Sequence, residues 1–114
     1  MTTTPPWRTI VAELLDELAS KEEQLEYERN VPHVNITAEL VELWFSDTYH
    51  PDSESFINCF SKDELAALAQ FNSVFAEMRR ELPDSQGTVQ TWLAAPSWRE
   101  VMRKASLTRD ALST

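Results

Sequence analysis

Glycine occurs only once in this sequence of 114 residues, at Gly87. Tight β-hairpins and the loops that bind phosphates or dinucleotides need glycine where the backbone takes a positive φ or approaches a ligand closely. A chain with one glycine is therefore poorly suited to β-rich folds and to nucleotide-binding loops, whereas packed helices need few glycines. We expect an all-α fold, a small single-domain helical bundle of about four to five helices that spans residues 1–114.

The most clearly specified element is the stretch from Ser61 to Leu82. Ser61 is followed three residues later by Glu64, which predicts a capping box at the start of a helix. Pro83 prevents the helix from continuing far. The apolar residues recur in steps of three and four and so share one helical face: Leu65, Leu68, Phe71, Phe75, Met78 and Leu82. This pattern predicts a core helix.

The N-terminal region predicts an amphipathic helix that begins near Thr4 and has a strongly anionic outer side. Only Leu25 and Tyr27 continue its apolar face after Leu18, so we expect the helix either to project past its core contacts or to fray there. The heptad repeat of a coiled coil does not persist. The apolar face is formed by Trp7, Ile10, Val11, Leu14, Leu15 and Leu18.

A second helix is predicted over about residues 36–45, capped by Asn35 or by Thr37. The next stretch, SDTYHPDSES at 46–55, is rich in turn-forming residues and predicts an exposed loop.

Two further helices are predicted near the C-terminus. Thr88 can cap a short helix that Pro96 ends. Ser97, with Glu100 three residues later, then predicts a second capping box at the start of the last helix.

The charge is distributed unevenly. Residues 1–60 carry three basic and twelve acidic side chains, a net charge of −9, whereas residues 61–114 carry seven of each sign. A surface of this kind attracts basic partners and repels nucleic acid and anionic membranes. We therefore expect a basic protein partner, with no direct nucleic-acid binding and no membrane binding. The alternative is that the charge only keeps the protein soluble.

The sequence contains a single cysteine, Cys59, which fits a reducing compartment. The N-terminus lacks the basic start and apolar run of a signal peptide, and no apolar stretch is long enough to cross a bilayer. We expect a cytoplasmic protein.

One cluster resembles a set of metal ligands, and it lies in the predicted loop: Asp47, His50, Asp52 and Glu54, with Cys59 close by. It lacks a second histidine or a paired cysteine, because His33 lies well upstream, so a polar turn is the preferred interpretation. Cys59 stands among apolar residues, which favours an inert thiol over a nucleophile. We expect no metal, no cofactor and no enzymatic activity.

Five aromatic residues fall between positions 44 and 60: Trp44, Phe45, Tyr49, Phe56 and Phe60. Most are expected in the core, but a narrow helical face cannot easily bury both Trp44 and Phe45, and Tyr49 falls in the loop. Aromatic anchors with surrounding carboxylates are typical of a surface that binds a basic partner. The predicted partner-binding residues are therefore Trp44, Phe45 and Tyr49 as anchors, with Asp47, Asp52, Glu54, Glu22, Glu23 and Glu26 for electrostatic steering.

Four stretches together resemble the small, acidic, helical immunity or antitoxin proteins of bacterial toxin systems: Glu42–Leu43–Trp44, Tyr49–His50–Pro51, FSKDELAALAQFNSVF at 60–75 and PSWREVMRKA at 96–105. The resemblance spans roughly residues 42–105 and is one of size, charge and texture. It implies a binding protein that neutralises a toxin by covering its active surface. The alternative is a structural or adaptor subunit that acts through a homo-oligomeric or complex interface.

Overall fold

The computed structural model describes residues 6–32, 35–82 and 88–112. All regular structure in these residues is helical, with no strand among them, which confirms the all-α prediction. The chain forms α1 (Trp7–Ala19), α2 (Lys21–Asn30), α3 (Ile36–Glu42), a π-helix (Leu43–Thr48), α4 (Glu54–Ile57), α5 (Lys62–Arg79), α6 (Val89–Leu93) and α7 (Pro96–Ala111). Five of the α-helices in this part of the chain have at least seven residues, close to the expected number of main helices.

Helix α5 has the predicted N-terminus. The Ser61 hydroxyl accepts a hydrogen bond from the backbone N–H of Glu64 at 3.2 Å, and the Glu64 carboxylate accepts one from the backbone N–H of Ser61 at 2.8 Å. The predicted capping box is therefore confirmed. Leu68, Phe71 and Phe75 are fully buried, whereas the other three predicted core residues, Leu65, Met78 and Leu82, are only partly buried.

The N-terminal region forms two helices where we expected one that projects or frays after Leu18, because the helical conformation is interrupted at Ser20. This residue takes an extended conformation between α1 and α2, and its hydroxyl accepts a hydrogen bond from the backbone N–H of Glu23 at 3.2 Å. Ser20 thus serves as the N-cap of α2. Helix α1 begins at Trp7, and the predicted cap Thr4 lies outside the described residues.

The second predicted helix is present but changes its hydrogen-bonding pattern. Asn35 caps it, with its side-chain oxygen accepting from the backbone N–H of Ala38. After Glu42 the helix widens into the π-helix, and the backbone N–H of Tyr49 donates to the carbonyl of Trp44 five residues earlier at 3.0 Å.

The segment at 46–55 differs from the exposed loop that we expected. Its first three residues belong to the π-helix, and Thr48 is only 3% exposed. Its last two residues open α4, which starts at Glu54. Only residues 49–53 connect the two helices.

The N-terminus of α7 also corrects the prediction. Pro96 is the first residue of α7 and does not end α6, so Ser97 lies inside the first turn and forms no capping box with Glu100. Proline suits this place because its fixed φ is helical and its missing N–H would have no helical partner there. Thr88 caps α6 as predicted, accepting from the backbone N–H of Thr91.

Helix α7 packs against both α1 and α5, and these are the two most extensive helix contacts in the described chain. Two polar contacts between distant parts of the sequence join this core. Trp98 donates its indole N–H to the fully buried Gln24 at 3.0 Å. Arg8 forms two hydrogen bonds with the carboxylate of Glu64, at 2.7 and 2.9 Å, and holds α1 against the start of α5.

Candidate partner-binding surface

Trp44, the first of the predicted anchors, belongs to the core. Its side chain is 0% exposed. Its ring stacks on Tyr49, with centroids 4.9 Å apart and an interplanar angle of 8°, and contacts Phe71 edge-on. Its indole N–H donates to the side-chain oxygen of Asn72 at 3.1 Å. Trp44 is therefore unavailable to a partner in this structure, and we remove it from the set of anchors.

The other two predicted anchors lie in a surface cleft with a volume of about 540 Å³, which we call the aromatic cleft. It is formed by the end of the π-helix, the connection to α4 and the middle of α5. Asp52 lies beside Phe45 and Tyr49, so the structure brings three of the predicted residues together. The full lining is Phe45, Tyr49, His50, Pro51, Asp52, Ser53 and Asn72.

Contacts beneath the aromatic cleft hold its lining residues in place. Tyr49 stacks on Trp44, and Trp44 in turn holds the amide of Asn72. His50 forms a hydrogen bond through Nε2 to the carbonyl of Asp47 at 3.1 Å, and its ring lies 5.1 Å from that of Trp7. The cleft is therefore built on packed side chains and not on a free loop.

One pKa shift and one ring contact describe the electrostatics of this cleft. Burial, followed by the charge of Asp52, raises the pKa of the Tyr49 phenol above its ordinary value. The guanidinium of Arg79 lies 5.2 Å from the centroid of the Phe45 ring. A ring contact of this kind is a cation–π interaction, in which the ring face attracts the cation.

The predicted steering residues of α2 line a second cleft, of about 480 Å³, between α1 and α2, which we call the acidic cleft. Glu23 and Glu26 contribute to it, whereas Glu22 is exposed outside it. Among the described residues, no lysine or arginine lines it. The full lining is Glu13, Asp16, Glu17, Glu23, Glu26, Tyr27 and Asn30.

Burial and neighbouring carboxylates together disfavour the ionised forms of Glu17 and Tyr27 in the acidic cleft. Burial and then the charge of Glu23 raise the pKa of Glu17. Burial, followed by the charges of Glu39 and Glu17, also raises the pKa of Tyr27. Asp16 is partly neutralised, because its carboxylate lies 3.2 Å from the guanidinium of Arg109 on α7. The cleft therefore keeps a strong negative potential that a cation would relieve.

The predicted residues do not form one continuous lining. Asp47 and Glu54 are exposed but line neither cleft, and the two clefts share no residue. Asn72 was missed because its role depends on α5 packing against the π-helix, a contact between positions 28 residues apart that no local pattern reveals. Glu13 and Asp16 were recognisable as the anionic face of α1, but the break at Ser20 was needed to turn that face into a cleft wall.

The metal-like cluster does not converge. No group of three or more histidine, cysteine, aspartate or glutamate side chains in the described part of the chain is placed to hold a metal ion. Cys59 is half-buried, and its thiol donates to the carbonyl of Ser55 at 3.2 Å. His33 lies outside the described residues.

A third cleft, of about 410 Å³, lies between the end of α1 and α7. It is mostly apolar and includes Leu107, which is 49% exposed, with Met102 beside it. Arg99 and Arg103 also line it, and Arg103 pairs with Glu100 at 2.6 Å. We call this the apolar cleft.

Comparison with known proteins adds no relative: the chain matches no protein-family model, no curated protein and no solved structure. None of the helices in the described residues is long and apolar enough to cross a membrane.

Proposed function

We propose that this chain is a non-enzymatic binding protein of the cytoplasm that neutralises or regulates a basic protein partner, with a bacterial toxin as the leading candidate. The observation that carries the proposal is the acidic cleft between α1 and α2. Five carboxylate side chains line it, and of these the structure pairs Asp16 with Arg109 at 3.2 Å. Such a surface gives a basic protein a strongly favourable place to bind.

Physical arguments connect this cleft to the recognition of a partner. Carboxylates held around a concave surface focus the negative potential, which raises the rate at which a basic protein finds the surface. Electrostatic steering of this kind increases association rate constants from about 10⁵–10⁶ to about 10⁸–10⁹ M⁻¹s⁻¹ at low salt. The pKa of Glu17 is raised first by burial and then by the charge of Glu23, so a neighbouring carboxylate adds to the cost of ionising Glu17 in this cleft. Tyr27 adds an aromatic contact to the cleft wall.

The resemblance in size, charge and texture to small acidic immunity and antitoxin proteins also favours a binding role.

The test is a pull-down from the source cell with the full chain as bait, washed at low and at moderate salt. The matched pair of variants is Glu23→Gln with Glu26→Gln, in the acidic cleft, and Glu77→Gln with Glu81→Gln, two exposed carboxylates at the end of α5. Both pairs change the net charge equally. We expect one basic protein to be recovered with the natural sequence and with the α5 pair, and to be lost with the cleft pair. Equal loss with both pairs, or recovery of no basic protein, would contradict the proposal.

The apolar cleft favours a second candidate, a structural or adaptor subunit that associates with another copy of itself. Leu107 is one of two large apolar side chains that are exposed in the described residues. Residues 61–114 have no net charge, so a second copy is not repelled from this region. Light scattering that shows a mass rising with concentration, and falling back to one chain with Leu107→Glu, would favour this candidate. A constant mass of one chain would remove it.

A further inference from the structure

We propose that the aromatic cleft receives an arginine side chain of the protein partner. This inference rests on the proposed function, because it identifies the side chain that the basic partner inserts into the cleft. The juxtaposition that carries it is an aromatic wall of Phe45 and Tyr49 beside the exposed carboxylate of Asp52, in a cleft that no lysine or arginine of the described residues lines.

The aromatic wall provides the first part of the recognition. A guanidinium is planar and weakly hydrated, so it stacks on aromatic faces more readily than an ammonium group does. Phe45 already has a guanidinium, that of Arg79, 5.2 Å from its ring centroid. Arg79 is not a lining residue of the cleft. The local packing at Phe45, which also includes Phe75 with ring centroids 4.9 Å apart, is therefore compatible with a guanidinium, and part of the Phe45 side chain lines the cleft.

The carboxylate provides the second part. Asp52 is exposed and close enough to Tyr49 for its charge to raise the pKa of the phenol. A carboxylate next to an aromatic ring can accept two N–H groups of a guanidinium while the plane of the guanidinium lies along the ring. An ammonium group has no such planar pair of donors, so the geometry distinguishes arginine from lysine.

The cleft needs little rearrangement to act in this way. Its volume of about 540 Å³ lies within the range of roughly 300–1,000 Å³ that is usual for pockets with small-molecule ligands. Tyr49 is stacked on the buried Trp44, and Asn72 is held by the indole N–H of the same residue. Side chains already held in place cost less ordering entropy on binding.

The test uses the full chain, labelled with ¹⁵N, and N-acetyl-arginine amide as the probe. Proton–nitrogen NMR spectra follow the titration, and N-acetyl-lysine amide is the comparison probe. We expect the arginine probe to displace the backbone signals of Phe45, Tyr49 and Asp52 and the side-chain amide signal of Asn72. Asp52→Asn should weaken this binding by about tenfold, because a charge-assisted contact is lost. The control, Asp47→Asn, changes another exposed carboxylate, one that does not line the cleft, and it should change binding of the arginine probe by less than about twofold.

Three outcomes would overturn the inference: no displaced signals at about 50 mM probe, equal displacement by the lysine probe, or equal effects of Asp52→Asn and Asp47→Asn. The pull-down separates this inference from the proposed function. If the basic partner is recovered equally well with Asp52→Asn and no probe binds, the proposed function stands and the arginine site is rejected. If the probe binds as expected but no basic protein is recovered, the cleft is a guanidinium site, and the proposal of a basic protein partner is rejected.

Discussion

Replacing Gln24 with leucine should destabilise this protein more than any change to an exposed glutamine. The side chain of Gln24 is 0% exposed and makes three hydrogen bonds. Its Nε2 donates to the carbonyls of Glu17 and Leu18 at 3.1 and 3.0 Å, and its Oε1 accepts from the indole N–H of Trp98 at 3.0 Å. One residue thus joins the C-terminal end of α1, the first turns of α2 and the middle of the core.

The expected loss follows from the groups that are left without a partner. The carbonyl of Glu17 keeps the backbone N–H of Ser20, at 3.1 Å. The carbonyl of Leu18 and the indole N–H of Trp98 lose the partner that Gln24 provides, and each such buried group costs about 1–3 kcal/mol. Leucine offsets part of this loss of free energy, because it buries additional apolar surface. We expect the free energy of unfolding to fall by about 2–4 kcal/mol and the Tm by about 10–20 °C.

The assay is urea unfolding followed by circular dichroism, with tryptophan fluorescence as a second probe. Gln70→Leu is the matched control, because Gln70 is exposed on α5 and the same chemical change there should alter the free energy of unfolding by less than about 0.5 kcal/mol. A double-mutant cycle with Trp98→Phe removes the indole N–H, so the two losses should be less than additive by about 1–2 kcal/mol. If Gln24→Leu behaves like Gln70→Leu, or if the cycle is additive, the argument from unpaired buried groups is wrong.

Three further predictions concern the contacts around α1. Glu64→Gln should lower the free energy of unfolding by about 1–3 kcal/mol in the same urea assay. The Glu64 side chain is 5% exposed and would lose the charge that pairs with Arg8, whose side chain is 33% exposed. An unchanged urea midpoint would argue against a stabilising role of the ion pair. Ser20→Ala should cost about 1 kcal/mol, and Ser20→Gly only a few tenths, as expected for an N-cap; equal losses would contradict that role. Glu17→Gln should raise the Tm at pH 7 but not below about pH 4. The raised pKa of Glu17 means that the folded protein disfavours the ionised carboxylate, and this penalty is present above the folded pKa and relieved as the pH falls through it. A Tm difference that stays constant with pH would refute this explanation.

Capping residues in the sequence correctly predicted the helix starts that depend only on contacts within a few residues. The Ser61 and Glu64 pair identified the start of α5, and Thr88 identified that of α6. Ser20 carried a similar signal, a serine three residues before Glu23, but the surrounding residues all favour a helix and hid the break. Pro96 was misread because proline is compatible both with the end of one helix and with the first turn of the next.

The candidate site was less accessible to sequence reasoning because it depends on contacts between distant positions. Trp44 and Phe45 are not both fully buried, in agreement with the expectation from their adjacency: Trp44 is fully buried and Phe45 is partly buried against the core. Which of them is fully buried depends on Asn72 and Phe71 in α5. The acidic residues were recognisable individually. Their division between two separate clefts follows from the packing of α1, α2 and the π-helix, which no spacing in the sequence records.

The π-helix has a consequence for how this region should be probed. A π-helical hydrogen bond joins residues five apart, whereas an α-helical one joins residues four apart. Deleting one residue of 45–48 would leave Trp44 and Tyr49 four residues apart, so the π-helical bond from the Tyr49 N–H to the Trp44 carbonyl could not form and the position of Tyr49 against Trp44 would change. Chain length in this segment, as well as side-chain identity, sets the geometry of the cleft. A scan of single-residue deletions would detect that dependence, whereas an alanine scan would miss it.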